Sequence, residues 1–398
     1  MAGSRSEYLF ILSQNGKGGL TPTTTMSGRA QGLTNLPTEI LAHIFVQCLP
    51  NLPQKTSAPP SQPLRAANAP LLLARICRSW RAVALGTPWL WNRLCVTHDA
   101  PHPPDFINEY AETWLARSGG VLLTVELLNL NWDSCSNWPQ FLDILGRHAA
   151  RIRCMTLEIS VAFDIALEKR RWAFPRLEEL DIAMYFDEVD PPCPIKTFQN
   201  APVLRRASFY AFPATPDSII LPSTIEEVVC MQYRLSDFSE TISAFPNAIR
   251  LEFEISYRND LVEIPPFHHE KVRELRLCDD LDMHRDTGSS PCVPHILAAA
   301  ALPTLRVLRL DHQDGLNTEV FTAFVAPSSE LRELEIQPHF YQHSALIPPA
   351  GSPLVALRLW RPMPNFARTL GEKLGDPEFM SKLEELFIHS PIVPTYPL

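Results

Sequence analysis

LEELDI (177–182), LRVLRL (305–310) and LRELEI (331–336) set apolar residues at the same three places: i, i+3 and i+5. Outward from these, the spacing recurs at Leu122/Val125/Leu127, Ile152/Met155/Leu157, Leu204/Ala207/Phe209, Ile225/Val228/Cys230, Val272/Leu275/Leu277, Leu354/Leu357/Leu359 and Leu383/Leu386/Ile388, with a shifted copy at Ile249, Leu251 and Phe253. The last two apolar residues of each phrase lie two apart, so they project from one side of a strand. One short strand cannot enclose its own leucines. Stacking equivalent strands side by side does, which predicts an α/β body with a curved parallel sheet and one continuous core.

Successive phrases fall roughly 21 to 33 residues apart, close to the ~20–29 residue period of leucine-rich repeats. The stretch 121–398 resembles that family. Proline often precedes the phrase, as in FPRL, APVL, LPST, FPNA and LPTL, where a loop must end before a strand starts. The Asn or Cys that such repeats carry three residues after the last apolar position is absent; Ser160, Tyr185, Phe212, Asp280, Gln313, His339, Pro362 and Pro391 stand there. The resemblance therefore implies an irregular solenoid whose loops use other hydrogen-bond partners. The competing reading is a non-repeating α/β domain with leucine-rich strands.

Residues alternating with the apolar pair face away from the core. Among them Arg276, Arg309 and Arg358 share one register position, with Glu335 between the last two, and Trp360 and Phe387 lie at the C-terminal end. This set is the expected target-binding surface, since charge patterns confer specificity and aromatic residues dominate interface energetics. The alternative is that these charges keep the sheet soluble and pair across strands.

Upstream, LTNLPTEILAHIF (33–45) puts Leu36, Ile40, Leu41, Ile44 and Phe45 at helical spacing behind Pro37. LLLARICRSWRAVA (71–84) does the same with Leu73, Ile76, Cys77, Trp80, Val83 and Ala84, while Arg75, Arg78 and Arg81 fall largely on the other side. So small a unit encloses little core, so a partner is expected to complete it; the alternative is a helical subdomain packed on its own chain. LPTEILAHIF, then ICRSWRAVA and PWLW, resembles the F-box, the adaptor-binding module of Skp–cullin–F-box ubiquitin ligases. That resemblance implies that Leu36, Pro37, Ile40, Leu41, Ile44, Phe45, Cys77, Trp80 and Val83 grip a Skp-type adaptor, and through it cullin and RING subunits. A Pro-rich insert at 50–70 replaces the family's short connection. Together with TWLARSGGVLLTVEL (113–127), it resembles F-box-like proteins of mushroom-type fungi. The expected layout is a disordered tail at 1–32, an F-box at 33–97, a linker helix at 98–120 and the repeat domain at 121–398.

Across 398 residues a formal charge of −9 and a pI near 5.8 disfavour nucleic acid and anionic membrane surfaces, which need a basic patch. Nine scattered cysteines without a CxxC read as reduced thiols. No Asn-X-Ser/Thr occurs, and no apolar run approaches the ~18 residues of a membrane span, so cytosol or nucleus is expected. Gly16–Gly19 lacks the rest of a phosphate loop. His268, His269 and Glu270, Cys292 with His295, and His339 with His343 each offer too few groups for a metal, and Asp279–Asp286 lacks the Gly and Glu of a calcium loop. Cys77 is expected on a buried stripe, where a thiol is unreactive. No cofactor or metal is implied. The chain reads as a non-catalytic substrate receptor whose repeat domain captures a target protein, or else as an interaction scaffold acting without ubiquitination.

Overall fold

A computed structural model describes residues 36–49, 69–97, 106–128, 138–159, 166, 169–170, 172–184, 194–255, 264–279, 292–311, 318–337, 348, 351–360, 364–376 and 378–389. The tail at 1–32, nearly all of the insert at 50–70, Gly16–Gly19, His339 and His343, and most of the acidic stretch after Asp279 lie outside these residues.

The strands are β1 (Arg93–Thr97), β2 (Leu123–Leu128), β3 (Ile152–Ile159), β4 (Glu179–Met184), β5 (Arg206–Tyr210), β6 (Glu227–Tyr233), β7 (Arg250–Ile255), β8 (Phe267–His268), β9 (Glu274–Asp279), β10 (Ala300–Ala301), β11 (Val307–Asp311), β12 (Glu333–Ile336), β13 (Ala356–Trp360) and β14 (Glu385–His389). Twelve of them form one open sheet in the order β1-β2-β3-β4-β5-β6-β7-β9-β11-β12-β13-β14, and β8 pairs with β10 apart from it. Every described pairing in the sheet is parallel. Each strand lies beside its nearest predecessor in the sheet, as a chain of repeated units requires. The register stacks the apolar pair: Leu180 on Ala207, Val228, Leu251, Leu275, Leu308, Leu334 and Leu357, and Ile182 on Phe209, Cys230, Phe253, Leu277, Leu310, Ile336 and Leu359. All of these are buried.

The copy that looks shifted at Ile249 is in phase. Ala248 is wholly buried at the first apolar position, whereas Ile249 is 36% exposed; the small side chain hides the pattern. At the start of the repeat Leu123, not Leu122, enters the core, where a register irregularity follows Leu123.

The prolines are placed by turn chemistry. Leu177, Leu204, Ala248 and Leu305 donate their N–H to Phe174, Ala201, Phe245 and Leu302, so Pro175, Pro202, Pro246 and Pro303 each stand second in a four-residue turn, where a fixed φ is favourable. Beyond each turn a backbone bond ties the unit to its predecessor. Glu178 donates to Arg153, Arg205 to Glu178, Glu226 to Arg205, Ile249 to Glu226, Arg273 to Ile249, Arg306 to Arg273, Arg332 to Arg306, Val355 to Arg332 and Glu384 to Val355, at 2.7–3.1 Å. Side chains cross-link neighbouring turns irregularly: Thr224 Oγ1 to Leu204 O at 2.7 Å, Thr304 Oγ1 to Glu270 O at 2.8 Å, and Ser328 Oγ to Leu302 O at 3.1 Å.

Nine α-helices are found among the described residues: α1 (Thr38–Gln47), α2 (Leu73–Ile76), α3 (Arg78–Leu85), α4 (Phe106–Arg117), α5 (Trp138–Gly146), α6 (Phe238–Ala244), α7 (Cys292–Ala299), α8 (Thr318–Val325) and α9 (Pro364–Leu374). Phe238 and Ile242 of α6, Ile296 and Leu297 of α7, Phe321 and Phe324 of α8 and Leu370 of α9 are buried in the common core.

That core continues into the N-terminal helices without a break, from Leu41 to Met380. The sheet starts at β1, inside the segment expected to be all-helical, and α4, in the stretch expected to be a linker helix, buries Ile107, Tyr110, Ala111, Trp114 and Leu115. Trp91 is the wedge. Wholly buried, it donates Nε1–H to Ala84 O at 2.8 Å, meets Trp114 edge-on at 4.7 Å and lies under the Arg117 guanidinium at 4.6 Å. Next to it Arg93 of β1 makes a two-pronged bond to Glu126 of β2, at 2.9 and 2.8 Å.

Glu126 is 4% exposed, so Arg93→Ala strands a carboxylate in the core and is expected to lower stability by about 3 kcal/mol, whereas the double change Arg93→Met with Glu126→Leu recovers most of it, as read by urea unfolding. Cys95, Cys230 and Cys292 are buried and Cys48 and Cys77 exposed, and burial raises the Cys230 thiol well above its ordinary value and the Cys292 thiol to about 12. A thiol reagent applied to the native chain is expected to label Cys48 and Cys77 before those three, which mass spectrometry of the digested protein reads directly.

Candidate docking surfaces

Helix α1 has two unlike sides. Leu41 and Phe45 are buried, at 3% and 0%, whereas Ile40 and Ile44 are 50% and 39% exposed. An isolated apolar residue on a surface is ordinary. Here the exposure recurs one helical turn on, and again at Leu72 and Ile76, 45% and 53% exposed. Pro37 is exposed and Leu36 half-buried just before α1, whose first bond runs from Leu41 N–H to Pro37 O at 3.1 Å.

The second run is two helices, not one. Cys77 is extended (φ −156°, ψ 172°), and its Sγ accepts the Trp80 N–H at 3.4 Å, capping α3. A residue that caps a helix leaves helical geometry to do so. This turns Cys77 outward, against the expectation of a buried stripe, and leaves Ile76 exposed at the end of α2. Trp80 is half-buried with its ring 4.8 Å from that of Phe45, and Val83 is 8% exposed. Of the nine residues expected to face an adaptor, then, Pro37, Ile40, Ile44 and Cys77 are exposed. Leu41, Phe45 and Val83 instead join the helices to their own core, and Leu36 and Trp80 are half-buried. Leu72, together with Leu85 and Trp89 at 37% and 57% exposed, adds apolar surface that periodicity did not single out.

The polar face of the sheet is an ion-pair lattice. Glu179, Arg206, Glu227, Arg250 and Glu274 alternate in sign at one register position across β4, β5, β6, β7 and β9. Arg206 reaches Glu227 at 3.2 Å, Arg250 reaches Glu274 at 2.7 Å, and Arg309 lies between Glu274 at 3.8 Å and Glu335 at 3.4 Å. Glu335 in turn accepts Trp360 Nε1–H at 2.7 Å. Arg276 sits between Glu252 at 3.1 Å and Asp311 at 2.9 Å, and Arg358 between Glu333 at 2.9 Å and Glu385 at 3.1 Å. Each of the three arginines expected to bind a target is therefore already held by two carboxylates of its own chain. Trp360, Phe387 and His389 form an aromatic group with ring separations of 4.8 to 6.3 Å.

The histidines near residue 268 divide. His268 is exposed. His269 is 6% exposed, with Nδ1 accepting the N–H of Lys271 and Val272 at 3.2 and 3.3 Å. Its proton is thereby placed on Nε2, which donates to Phe245 O at 3.1 Å. This histidine holds a turn and is not free to serve as a ligand. Among the described residues no three or more His, Cys, Asp or Glu side chains gather as metal ligands, and no helix is long and apolar enough to cross a membrane.

Residues 33–97 match the F-box-like family model. Domains of that family bind Skp-type adaptors, and such a domain points to a role in adaptor binding of the Skp–cullin–F-box kind; Ile40, Ile44, Leu72 and Ile76 lie within the matched residues. No curated protein matches the chain in sequence.

In the polar lattice the Arg250 guanidinium, by hydrogen bond and charge, holds the Glu274 carboxyl below its ordinary value of 4.5. A lowered carboxyl stabilises the fold above its unfolded pKa and ceases to as pH falls through the folded value. Both side chains are partly solvated, so Arg250→Ala is expected to lower stability by only about 0.5 kcal/mol at neutral pH. Urea midpoints of the two proteins are expected to converge as pH falls from the ordinary carboxyl value of 4.5 through the lower folded one.

Proposed function

We propose that the chain is the substrate-recognition subunit of a Skp–cullin–F-box ubiquitin ligase. The observation that carries the reading is the apolar surface left open by α1 and α2, Ile40, Ile44, Leu72 and Ile76, in the F-box-like segment. Their neighbours Leu41, Phe45 and Val83 bind the helices to the core. The adaptor closes over the exposed residues, and cullin and RING subunits follow through it. The remaining sheet acts as a leucine-rich-repeat solenoid whose polar face, around Arg276, Arg309, Arg358 and Trp360, receives a target protein in the cytosol or nucleus. A target exchanges its own charges for the carboxylates that hold those arginines, so selectivity comes from matching the lattice and not from a free positive patch. The subunit makes and breaks no bond; it raises the effective concentration of target lysines beside a ubiquitin thioester.

Co-expression with a Skp-type adaptor tests this. A one-to-one complex is expected, and Ile40→Asp, Ile44→Asp or Ile76→Asp should each weaken it by about 30-fold or more while leaving the unfolding midpoint unchanged. Leu41→Ala or Phe45→Ala should instead destabilise the chain by about 2–5 kcal/mol. Failure to form the complex, or binding indifferent to all three Asp variants, rejects the reading. With cullin, RING and conjugating enzyme added, faster ubiquitination of a co-purified protein is expected; adaptor binding without it leaves a non-catalytic scaffold. Replacing Arg276, Arg309 and Arg358 together by Ala should abolish recovery of that protein and spare the adaptor complex.

A further inference from the structure

The two ends of the sheet are finished differently. At β1, Leu94, Cys95 and Val96 are buried, covered by the core that Trp91 and α4 complete. At β14 every residue from Glu385 to His389 is exposed. Leu386 and Ile388 are 42% and 44% exposed, although they stand in register with Leu357 and Leu359, which are 0% and 2% exposed. Among the described residues β14 has a neighbouring strand on one side only. An uncovered edge carrying three consecutive large apolar residues is a template for another strand.

The sequence of β14 says which strand. Glu385-Leu-Phe-Ile-His389 is self-complementary when read against itself in the opposite direction. With a two-fold axis at Phe387, Glu385 meets the partner's His389, Leu386 meets the partner's Ile388, and Phe387 meets the partner's Phe387. The first pair sets a carboxylate against an imidazole N–H. The second covers the inner-face residues with apolar ones, and the third joins two aromatic groups, each already built on Trp360 and His389. A parallel copy would set Glu385 against the partner's Glu385, a like-charge pair that opposes association.

We propose that β14 is a self-association edge, pairing antiparallel with β14 of a second copy of this chain about a two-fold axis at Phe387. Phe387, expected from sequence to touch a target, then belongs to the contact between subunits, and the assembly carries two adaptor-docking surfaces. Such an isologous contact closes on itself. Five residues of strand make less than a standard interface, so the dimer forms at micromolar concentration.

Sedimentation velocity of the full chain from about 1 to about 100 μM is the test. The mean mass is expected to rise from one chain towards two, and Leu386→Lys or Phe387→Lys to hold it at one with unchanged far-UV circular dichroism. Under mild oxidation Phe387→Cys should cross-link at least tenfold faster than Glu385→Cys, measured against the wild-type chain with its exposed Cys48 and Cys77, because only residue 387 faces its own copy. A single-chain mass at every concentration overturns the proposal, including the case where a chain ending at His389 associates and the full chain does not, since residues after 389 then cover the edge. Association that ignores both lysine variants, or equal cross-linking at 385 and 387, overturns it as well.

Discussion

The structure depends on a lateral exchange of apolar surface: the pair of core residues on each strand is covered by the strands on either side. Leu275 and Leu277 are enclosed by Leu251 and Phe253 on one side and by Leu308 and Leu310 on the other. Burying a leucine side chain is worth about 1.5–3 kcal/mol, and none of that is available to a unit standing alone. Hence the shared register of the core pair from β4 onward, the repeated backbone bond before those strands, and the sensitivity of the ends. Units in the middle gain two neighbours; the first and last must find something else.

At the first strand that something is the F-box-like segment. Its helices do not hang from a linker but continue the core through Trp91, Trp114 and the Arg93–Glu126 pair. Two demands meet in α1, a helix of ten residues. One side supplies Leu41 and Phe45 to the core, and the other keeps Ile40 and Ile44 in water. Leaving those isoleucines solvated is unfavourable for an isolated chain and informative for that reason, because a partner that covers them gains what the fold forgoes.

Much of this was readable beforehand, because period-2 burial in a parallel sheet leaves a spacing in the sequence that composition cannot mimic. The parallel sheet and the strand phases from Leu177 to Leu359 follow from it. What escaped did so for identifiable reasons. Ala248 fills a leucine position with a methyl group, so hydrophobicity pointed to Ile249. Cys77 lies at helical spacing from Leu73 and Trp80, yet a side chain that caps a helix stands outside it. His269 is surrounded by prolines and charges in sequence, and only tertiary contact with Phe245 buries it. Periodicity marked α1 and α3 as amphipathic but could not say which apolar residues meet their own core. The three arginines had the opposite difficulty: alternation identified them as outward-facing, while their carboxylate partners lie 24 to 35 residues away in the chain.

The continuous core also sets a length scale. Parallel strands stack about 4.8 Å apart, so the eleven steps from β1 to β14 trace a contour of about 50 Å, and each position on the polar face has a fixed address along it. Under the proposed function, with the F-box-like helices fused to the first strand, the strand that a target occupies also sets its reach from the adaptor, in increments of one strand. Lengthening or shortening the sheet by whole strands would move such a target along this ruler while leaving the helices at the first strand unchanged.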